Sequence, residues 1–198
     1  MADSWQVSDV ATPIGTFRVV YMGKAVRVVD LIEPGLSQTG VPLGTQLRKG
    51  PFPEGSPPRQ VSDYFRGRRS AFEVAIDPES ASAFDRSVWN ALLKVPAGRT
   101  ITYGQLARQA GYAGAARAVG GAMARNPIPV IIPCHRVVGK GGSLQGFGMG
   151  LWRKRWLLDH EGAWPLRSRS AEGPRDKSQR TLDTYPGAKP ERMRRTAR

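Results

Sequence analysis

Two hydrophobic periods divide this chain, and the switch between them limits the folds open to it. In GTFRVVYMGKAVRVVDLI, Phe17, Val19 and Tyr21 alternate with other residues and Gly23-Lys24 supplies a turn. Residues 25–32 are then rich in β-branched side chains, the pattern of a hairpin. Further on, Phe84, Val88, Leu92 and Val95 fall at helical spacing, with Trp89 beside them. Residues 33–58 are dense in Gly, Pro, Ser and Gln, and so read as a surface excursion or linker. Strands followed by helices predict an α/β (α+β) protein. A small N-terminal β-sheet domain takes residues 1–78, and a mostly helical C-terminal domain takes 79–164.

The other elements follow from their boundaries. Residues 1–10 read as a frayed start, RQVSDYFRG as a short helix ending at Gly67, and SAFEVAI as a strand. Pro96 and Gly98 stop the first long helix. TYGQLARQAG opens with Thr102, has Gln105 three positions on in a capping-box pattern, and closes at Gly111. GAARAVGGAMARNP is a second short helix, ended by Asn126-Pro127. Two short helices around GYAG predict a helix-turn-helix in a winged-helix-like setting, although helical hairpins with no DNA role share that spacing. Six glycines fall within 139–150, ahead of a last amphipathic helix, LWRKRWLLDHEG. That helix should group Leu151, Trp152, Arg155, Trp156 and Leu158 near one face and stop at Gly162. Beyond Pro165 the chain has almost no apolar residues and is expected to be disordered.

Charge narrows the partners. The net charge is +14, from 30 Lys and Arg against 16 Asp and Glu. Residues 167–198 hold ten of the basic and four of the acidic side chains, which leaves +8 on the part that folds. A field of that sign attracts phosphate backbones or anionic lipid, and nucleic acid is the favoured partner. No stretch approaches the roughly 20 apolar residues of a membrane helix. MADSWQVSDV lacks the basic-then-apolar order of a secretory signal. One cysteine excludes an intramolecular disulfide framework, so the cytoplasm is the expected address. One Cys and two His cannot build a usual structural zinc set, and no metal or other cofactor is expected.

The lone cysteine stands in IPVIIPCHRVVGKGG, residues 128–142. Val130, Ile131 and Ile132 are expected to form a short buried strand, closed by Pro129 and Pro133, that delivers Cys134 in a defined direction. Free cysteines are often no more than buried filler. Here His135 and Arg136 follow directly, and a thiol of ordinary pKa, ~8.5, needs electropositive company to ionise at neutral pH. As a sequence neighbour His135 is awkwardly placed to touch the sulfur, but it can act through a water. Glu161, at a helix end, can orient and charge-stabilise His135. Cys134, His135 and Glu161 thus make a candidate thiolate-activating chain, a Cys/His arrangement that a cysteine hydrolase also uses.

IPCHRVV, AARAVGGAMARNP, TYGQLA and WLLDHEG occur in an order and spacing that resemble the methylated-DNA–protein-cysteine methyltransferases, also called O6-alkylguanine-DNA alkyltransferases. The resemblance is strong over residues 84–162, weaker in TPIGTFRVVYMGKAVRVVDL and VSDYFRGRRSAFEVAI, and absent from the tail. It implies DNA repair by direct reversal: irreversible, stoichiometric transfer of the alkyl group of O6-alkylguanine, and of O4-alkylthymine, to Cys134. It further implies that His135 takes the thiol proton through a water while Glu161 polarises the histidine. Asn126 matches an asparagine that holds the site by hydrogen bonding. Tyr103 matches a tyrosine that donates toward the guanine ring and crowds a phosphate during flipping.

The same resemblance implies a DNA face of Thr102, Tyr103, Ala115, Ala116, Arg117, Gly121 and Arg125. A lesion inside the stack is out of reach, so the base must be flipped into a pocket. Gly and Ala dominate residues 114–124, and small side chains let a helix approach the sugar-phosphate rails closely. Arg117 matches an arginine that fills the hole left by the flipped base; on its own it reads as a phosphate contact. The helix pair would lie in the minor groove, whose degenerate code suits sequence-tolerant repair. Pro133, Val138, Phe147, Gly148, Met149 and Gly150 would border the substrate pocket, with Phe147 packed on the base. Gly148 stands where some relatives carry a serine, which removes a side-chain bond and admits bulkier alkyl groups. The zinc ligands that some relatives carry in the N-terminal domain are absent. The expected partner is double-stranded DNA bearing alkylated guanine, met by a monomer away from any membrane. Two rival readings stay open: a damage-binding or regulatory DNA module, and a cysteine hydrolase that restores its thiol.

Overall fold

The computed structural model describes residues 4–32, 46–47, 51–78 and 81–163. The expected disordered tail and most of the 33–58 loop lie outside those residues. Strands β1 (Gln6–Thr12), β2 (Gly15–Met22) and β3 (Ala25–Leu31) form an antiparallel meander. Two short pieces extend it in parallel, β4 (Gln46–Leu47) beside β1 and β5 (Ala75–Ile76) beside β3. The sheet order is therefore β4-β1-β2-β3-β5. Gly23 turns the β2–β3 hairpin at φ 56, a conformation side chains rarely adopt.

Residues 6–10 are not frayed, because β1 is a full strand. Its polar residues hide it. Ser8 is fully buried, and Asp9 faces Arg18 across the ladder in a two-point pair at 2.8 and 2.9 Å. Polar side chains thus occupy positions that an alternation test counts against a strand. The SAFEVAI strand is shorter than expected for a related reason. Gln60 bonds both backbone groups of Glu73, donating from Nε2 at 3.2 Å and accepting at Oε1 at 2.7 Å. The side chain takes the place of a ladder partner.

Helix α1 (Pro57–Phe65) follows, with Pro57 and Pro58 in its first turn after Ser56, where a missing N–H costs nothing. The loop therefore ends before Pro57. Phe65 packs on Phe17 of the sheet with ring centroids 5.5 Å apart. Helix α2 (Ala83–Leu93) is capped by Ser82, which accepts from the Asp85 N–H at 3.0 Å, and buries Val88, Trp89 and Leu92. It stops at Leu93, so Val95 lies past its end while remaining in the core.

Strand β6 (Ile101–Thr102) leads into helix α3 (Tyr103–Gln109), and the Thr102/Gln105 capping box is present. Helix α4 (Ala116–Ala124) comes after a turn with Gly111 and Gly114 at φ 87 and 85. Trp89 ties α4 to α2 by donating from Nε1 to the Ala122 carbonyl at 3.0 Å. Strand β7 (Val137–Val138) pairs with β6 in parallel, and helix α5 (Leu151–His160) closes the described chain.

Two expectations fail here. Val130 to Ile132 are not a strand: Val130 has φ 74, and the Ile132 N–H donates back to the Ile128 carbonyl at 2.8 Å. Prolines at 127, 129 and 133 remove the donors a ladder needs, so the run folds into a tight turn. On α5 the buried residues are Arg153, Lys154, Leu157 and Leu158, whereas Leu151, Trp152, Arg155 and Trp156 are only half-buried. The two cations bury their stems while their heads reach carbonyls. Arg153 Nε donates to Ile14 at 2.8 Å, and Lys154 Nζ to Gln145 at 2.7 Å.

Sheet and helices share one core, in which Val10, Phe17 and Tyr64 join Leu92, Leu106 and Ile132. The Val29 N–H also donates to the Pro127 carbonyl at 2.9 Å, so β3 abuts the turn that leads to Cys134. Among the described residues no helix is long and apolar enough to cross a membrane.

Candidate active site

The turn between α4 and β7 is built around Asn126. Its Nδ2 donates to the Ile132 carbonyl at 2.9 Å, and its Oδ1 accepts from the Ile128 N–H at 3.0 Å. These two bonds fold the proline-studded segment, which holds Val130 in its left-handed conformation. Cys134 to Arg136 then form one turn of 3-10 helix. Cys134 is 8% exposed and lies on the wall of an open cleft of about 1340 Å³.

Behind the cysteine is a chain of buried groups. His135 Nε2 lies 3.1 Å from Glu161 Oε1, and both side chains are out of water. Arg136 grips the same carboxylate with two nitrogens, Nη2 to Oε1 at 2.7 Å and Nε to Oε2 at 2.9 Å. Its remaining nitrogen donates to the Val95 carbonyl at 2.6 Å. From α1, Tyr64 donates its hydroxyl to Glu161 Oε1 at 2.8 Å. Burial pushes the Glu161 carboxyl up, but the hydrogen bonds and charges of His135 and Arg136 win and hold it well below the usual carboxylate range. Glu161 is therefore a firm anion.

That anion sets the histidine tautomer. Burial lowers the His135 pKa, against the pull of Glu161, so the ring is neutral near pH 7. A carboxylate at Nε2 requires the proton there, which leaves Nδ1 as the lone-pair nitrogen. Nδ1 is buried with no hydrogen-bond partner among the described residues. The site thus holds a base with its acceptor nitrogen uncommitted. Burial likewise raises the Cys134 thiol, while Asn126, the charge of Lys154 and the backbone N–H groups of Cys134 and His135 pull it down. The resting sulfur is a thiol, and it needs a base to react.

The cleft brings together Thr102, Tyr103, Ala116, Arg117, Arg125, Asn126, Phe147, Gly148 and Met149 around Cys134. A Cβ at Gly148 would meet nothing within 4 Å, so the space there is real. Tyr103 donates weakly to the Gln145 carbonyl at 3.4 Å, and its hydroxyl pKa is raised by burial and then by Cys134. Arg117 is exposed on α4. Pro133, Val138 and Gly150 do not line the cleft. Pro133 is buried, Val138 packs with Leu144 and Leu158, and Gly150 caps α5 at φ 92. Ala115 is the N-cap residue of α4, and Gly121 lies under Arg125, whose Nη1 is 3.1 Å from where a Cβ would stand. Arg125 is itself engaged, since Nη2 pairs with Asp85 at 2.7 Å and Nε at 3.2 Å.

Three residues of the site were not anticipated: Tyr64, Arg136 as a carboxylate clamp, and Lys154. Lys154 is fully buried, its Nζ donates to Gln145, and burial lowers its pKa to about 8, with Cys134 pulling the other way. A signal for it exists, because position 154 stands three and four residues before Leu157 and Leu158 on one helix face. The tryptophans at 152 and 156 point a periodicity reading to the wrong face.

Residues 83–163 match the family model described as 6-O-methylguanine DNA methyltransferase, DNA binding domain. The methylated-DNA–protein-cysteine methyltransferase of Salmonella typhimurium is 47% identical over 103 residues, and the chain spans 60% of that relative's length and 52% of its own. The protein of the same name from Shigella flexneri is 35% identical over 164 residues, 77% of this chain and 93% of the relative. Among solved structures, Mycobacterium tuberculosis OGT in complex with DNA superposes with a TM-score of 0.69 at 38% identity, covering 80% of this chain and 93% of that one. On the match that covers 93% of the Shigella protein, and with a fold shared with the Mycobacterium tuberculosis structure, the chain belongs to the methylated-DNA–protein-cysteine methyltransferase family.

Proposed function

We propose that this protein repairs DNA by taking the alkyl group of O6-alkylguanine, and of O4-alkylthymine, onto Cys134 in a single irreversible displacement. The observation that carries the reading is one constellation. A buried thiol faces an open cleft, and the neighbouring histidine is neutral, anchored by Glu161, with Nδ1 free to accept a proton. The thiol proton passes through a water to His135 Nδ1, and Glu161 stabilises the imidazolium that forms. The sulfur attacks the alkyl carbon, the carbon–oxygen bond breaks, and its electron pair stays on the guanine oxygen. Tyr103 passes its hydroxyl proton toward the ring, leaving neutral guanine, and regains a proton from the His135 imidazolium by way of water. Lys154 adds a positive charge beside the sulfur as negative charge develops there. The product is a thioether, which water does not cleave, so each molecule acts once.

Delivery of the base falls to α3 and α4. The base leaves the stack because the attacking sulfur cannot reach it inside. The helix pair presents Thr102, Tyr103, Ala115, Ala116 and Gly121 as a smooth surface to the minor groove. Arg117 fills the vacated stack, and Arg125 contacts phosphate while still paired to Asp85. Phe147, Gly148 and Met149 receive the base, and Pro133, Val138 and Gly150 support that wall from behind. The division of labour follows the chain: residues 1–78 brace the site and 79–164 carry it. The protein works as a monomer on DNA in the cytoplasm.

The test is a stoichiometry measurement with a duplex carrying O6-methylguanine in excess. Restored guanine rises to one equivalent per protein and stops. Continued turnover would assign a hydrolase, and tight binding with no restoration would assign a damage-binding module.

A further inference from the structure

Tyr64 has no place in the mechanism above, yet its hydroxyl ends inside the site. It sits on α1, 97 residues before Glu161, and is 1% exposed. Glu161 Oε1 accepts from three donors: Arg136 Nη2 at 2.7 Å, the Tyr64 hydroxyl at 2.8 Å and His135 Nε2 at 3.1 Å. The histidine contact is the longest of the three. Donors that share one oxygen compete for its charge, so each of the other two weakens the hold of Glu161 on His135. Arg136 is fixed on both carboxylate oxygens and on Val95, which leaves Tyr64 as the separable competitor.

The position of Tyr64 is itself pinned. Its carbonyl bonds His160 Nε2 at 2.8 Å, and its ring lies edge-on to His160 at 5.2 Å and beside Phe72 at 5.3 Å. Burial and then Glu161 raise its hydroxyl pKa well above the ordinary value, so it is a permanent neutral donor. The ionisable groups facing this cluster are His135, Arg136 and Cys134 from the 3-10 turn, Lys154 and His160 from α5, and Glu161 itself.

We propose that Tyr64 is a positioning residue that limits how strongly Glu161 holds His135, keeping the imidazole neutral so that Nδ1 can accept the thiol proton. The sheet-side half of the chain thereby sets the basicity of a base that lies in the helical half. A tyrosine that merely fills space would set nothing of the kind. The proposal deepens the reading of Cys134 as an activated thiol.

The test compares wild type with Tyr64→Phe, which keeps the ring and removes one oxygen. The readout is the pH dependence of Cys134 modification by a small methylating or thiol-specific reagent, which needs no DNA and so does not depend on the repair reading. Alkyl transfer from the O6-methylguanine duplex is followed in parallel. Tyr64→Phe moves the acid limb of Cys134 reactivity upward, on the order of half a pH unit to one unit. In a Glu161→Gln background the same change moves it hardly at all, because the shared charge is gone. Site-specific 3-fluorotyrosine at 64, a stronger donor in an intact fold, moves the limb downward and covers the case in which Tyr64→Phe is unstable. An unmoved limb in the folded Tyr64→Phe protein, a shift of the wrong sign, or an equal shift without the Glu161 carboxylate would each overturn the proposal. Wild-type protein that reacts with the reagent but leaves the duplex unrepaired would count against the repair function and not against Tyr64.

Discussion

His135 Nε2 and Glu161 Oε1 stand 3.1 Å apart in a space closed to solvent, and this contact fixes which nitrogen of the ring is free. Glu161→Gln keeps the shape and removes the charge that stabilises an imidazolium. Single-turnover alkyl transfer should fall on the order of 10²-fold, the range lost with a general base, while duplex binding is unchanged. Rapid-quench kinetics and a binding titration on one sample check both halves.

The buried histidine also fixes the sign of the pH profile. Burial holds the His135 pKa below its ordinary 6.5. Below the folded pKa the ring is protonated and Nδ1 no longer accepts; above it the base is ready. The transfer rate should therefore stay flat through neutrality and fall only at pH values under 6.5. A pH–rate profile with O6-methylguanine duplex measures this, and an acid limb centred above 6.5 would disagree.

Lys154→Met separates two effects of a buried cation. Transfer slows by on the order of tenfold as the charge beside the sulfur is lost. Stability moves in a pH-dependent way, because the folded pKa of about 8 lies below the ordinary 10.5. Between those values the unfolded chain binds more protons, so stability gained from this residue rises as pH climbs from about 8 to 10.5. The wild-type stability minus that of Lys154→Met, from urea melts across that window, should rise with pH.

Arg117→Ala distinguishes stack filling from phosphate contact. If Arg117 holds the flipped state, repair of duplex drops by on the order of 10-fold or more while reaction with free O6-methylguanine base is unaffected. A phosphate contact alone would weaken binding uniformly and lower the salt dependence by about one counterion.

Asn126→Ala leaves the Ile128 N–H without a partner in a buried turn and takes one of two donors from the Ile132 carbonyl, which keeps the Cys134 N–H at 2.8 Å. Thermal or urea denaturation should report a loss of roughly 1–3 kcal/mol for the unsatisfied group. Cys134 reactivity should fall as well, since Asn126 pulls the thiol pKa down against the effect of burial.

Much of this site is legible in the amino-acid sequence because it rests on local features. The capping box at Thr102 and Gln105, the glycine turns at 111 and 114, and the Cys134-His135 step are all written in adjacent residues. The Glu161 partner follows from chemistry, since a base needs an orienting anion. What is not legible comes from long-range packing. Strand β1 is concealed by Ser8 and Asp9, whose partners Tyr21 and Arg18 lie on the next strand. The run 130–132 has a strand's composition, but three prolines and Asn126 impose a turn. Tyr64 and Lys154 enter the site only through tertiary contacts, and a buried lysine defeats any reading that sends charge to the surface.

The central claim is that Cys134 is a consumed reagent. The most direct measurement is the mass of the whole protein, followed by a peptide map, after exposure to excess O6-methylguanine duplex. The expected result is a gain of one methyl group, located on Cys134, that persists indefinitely and is absent from Cys134→Ser. Guanine restored with the protein mass unchanged, or a methyl group on any other residue, would contradict it.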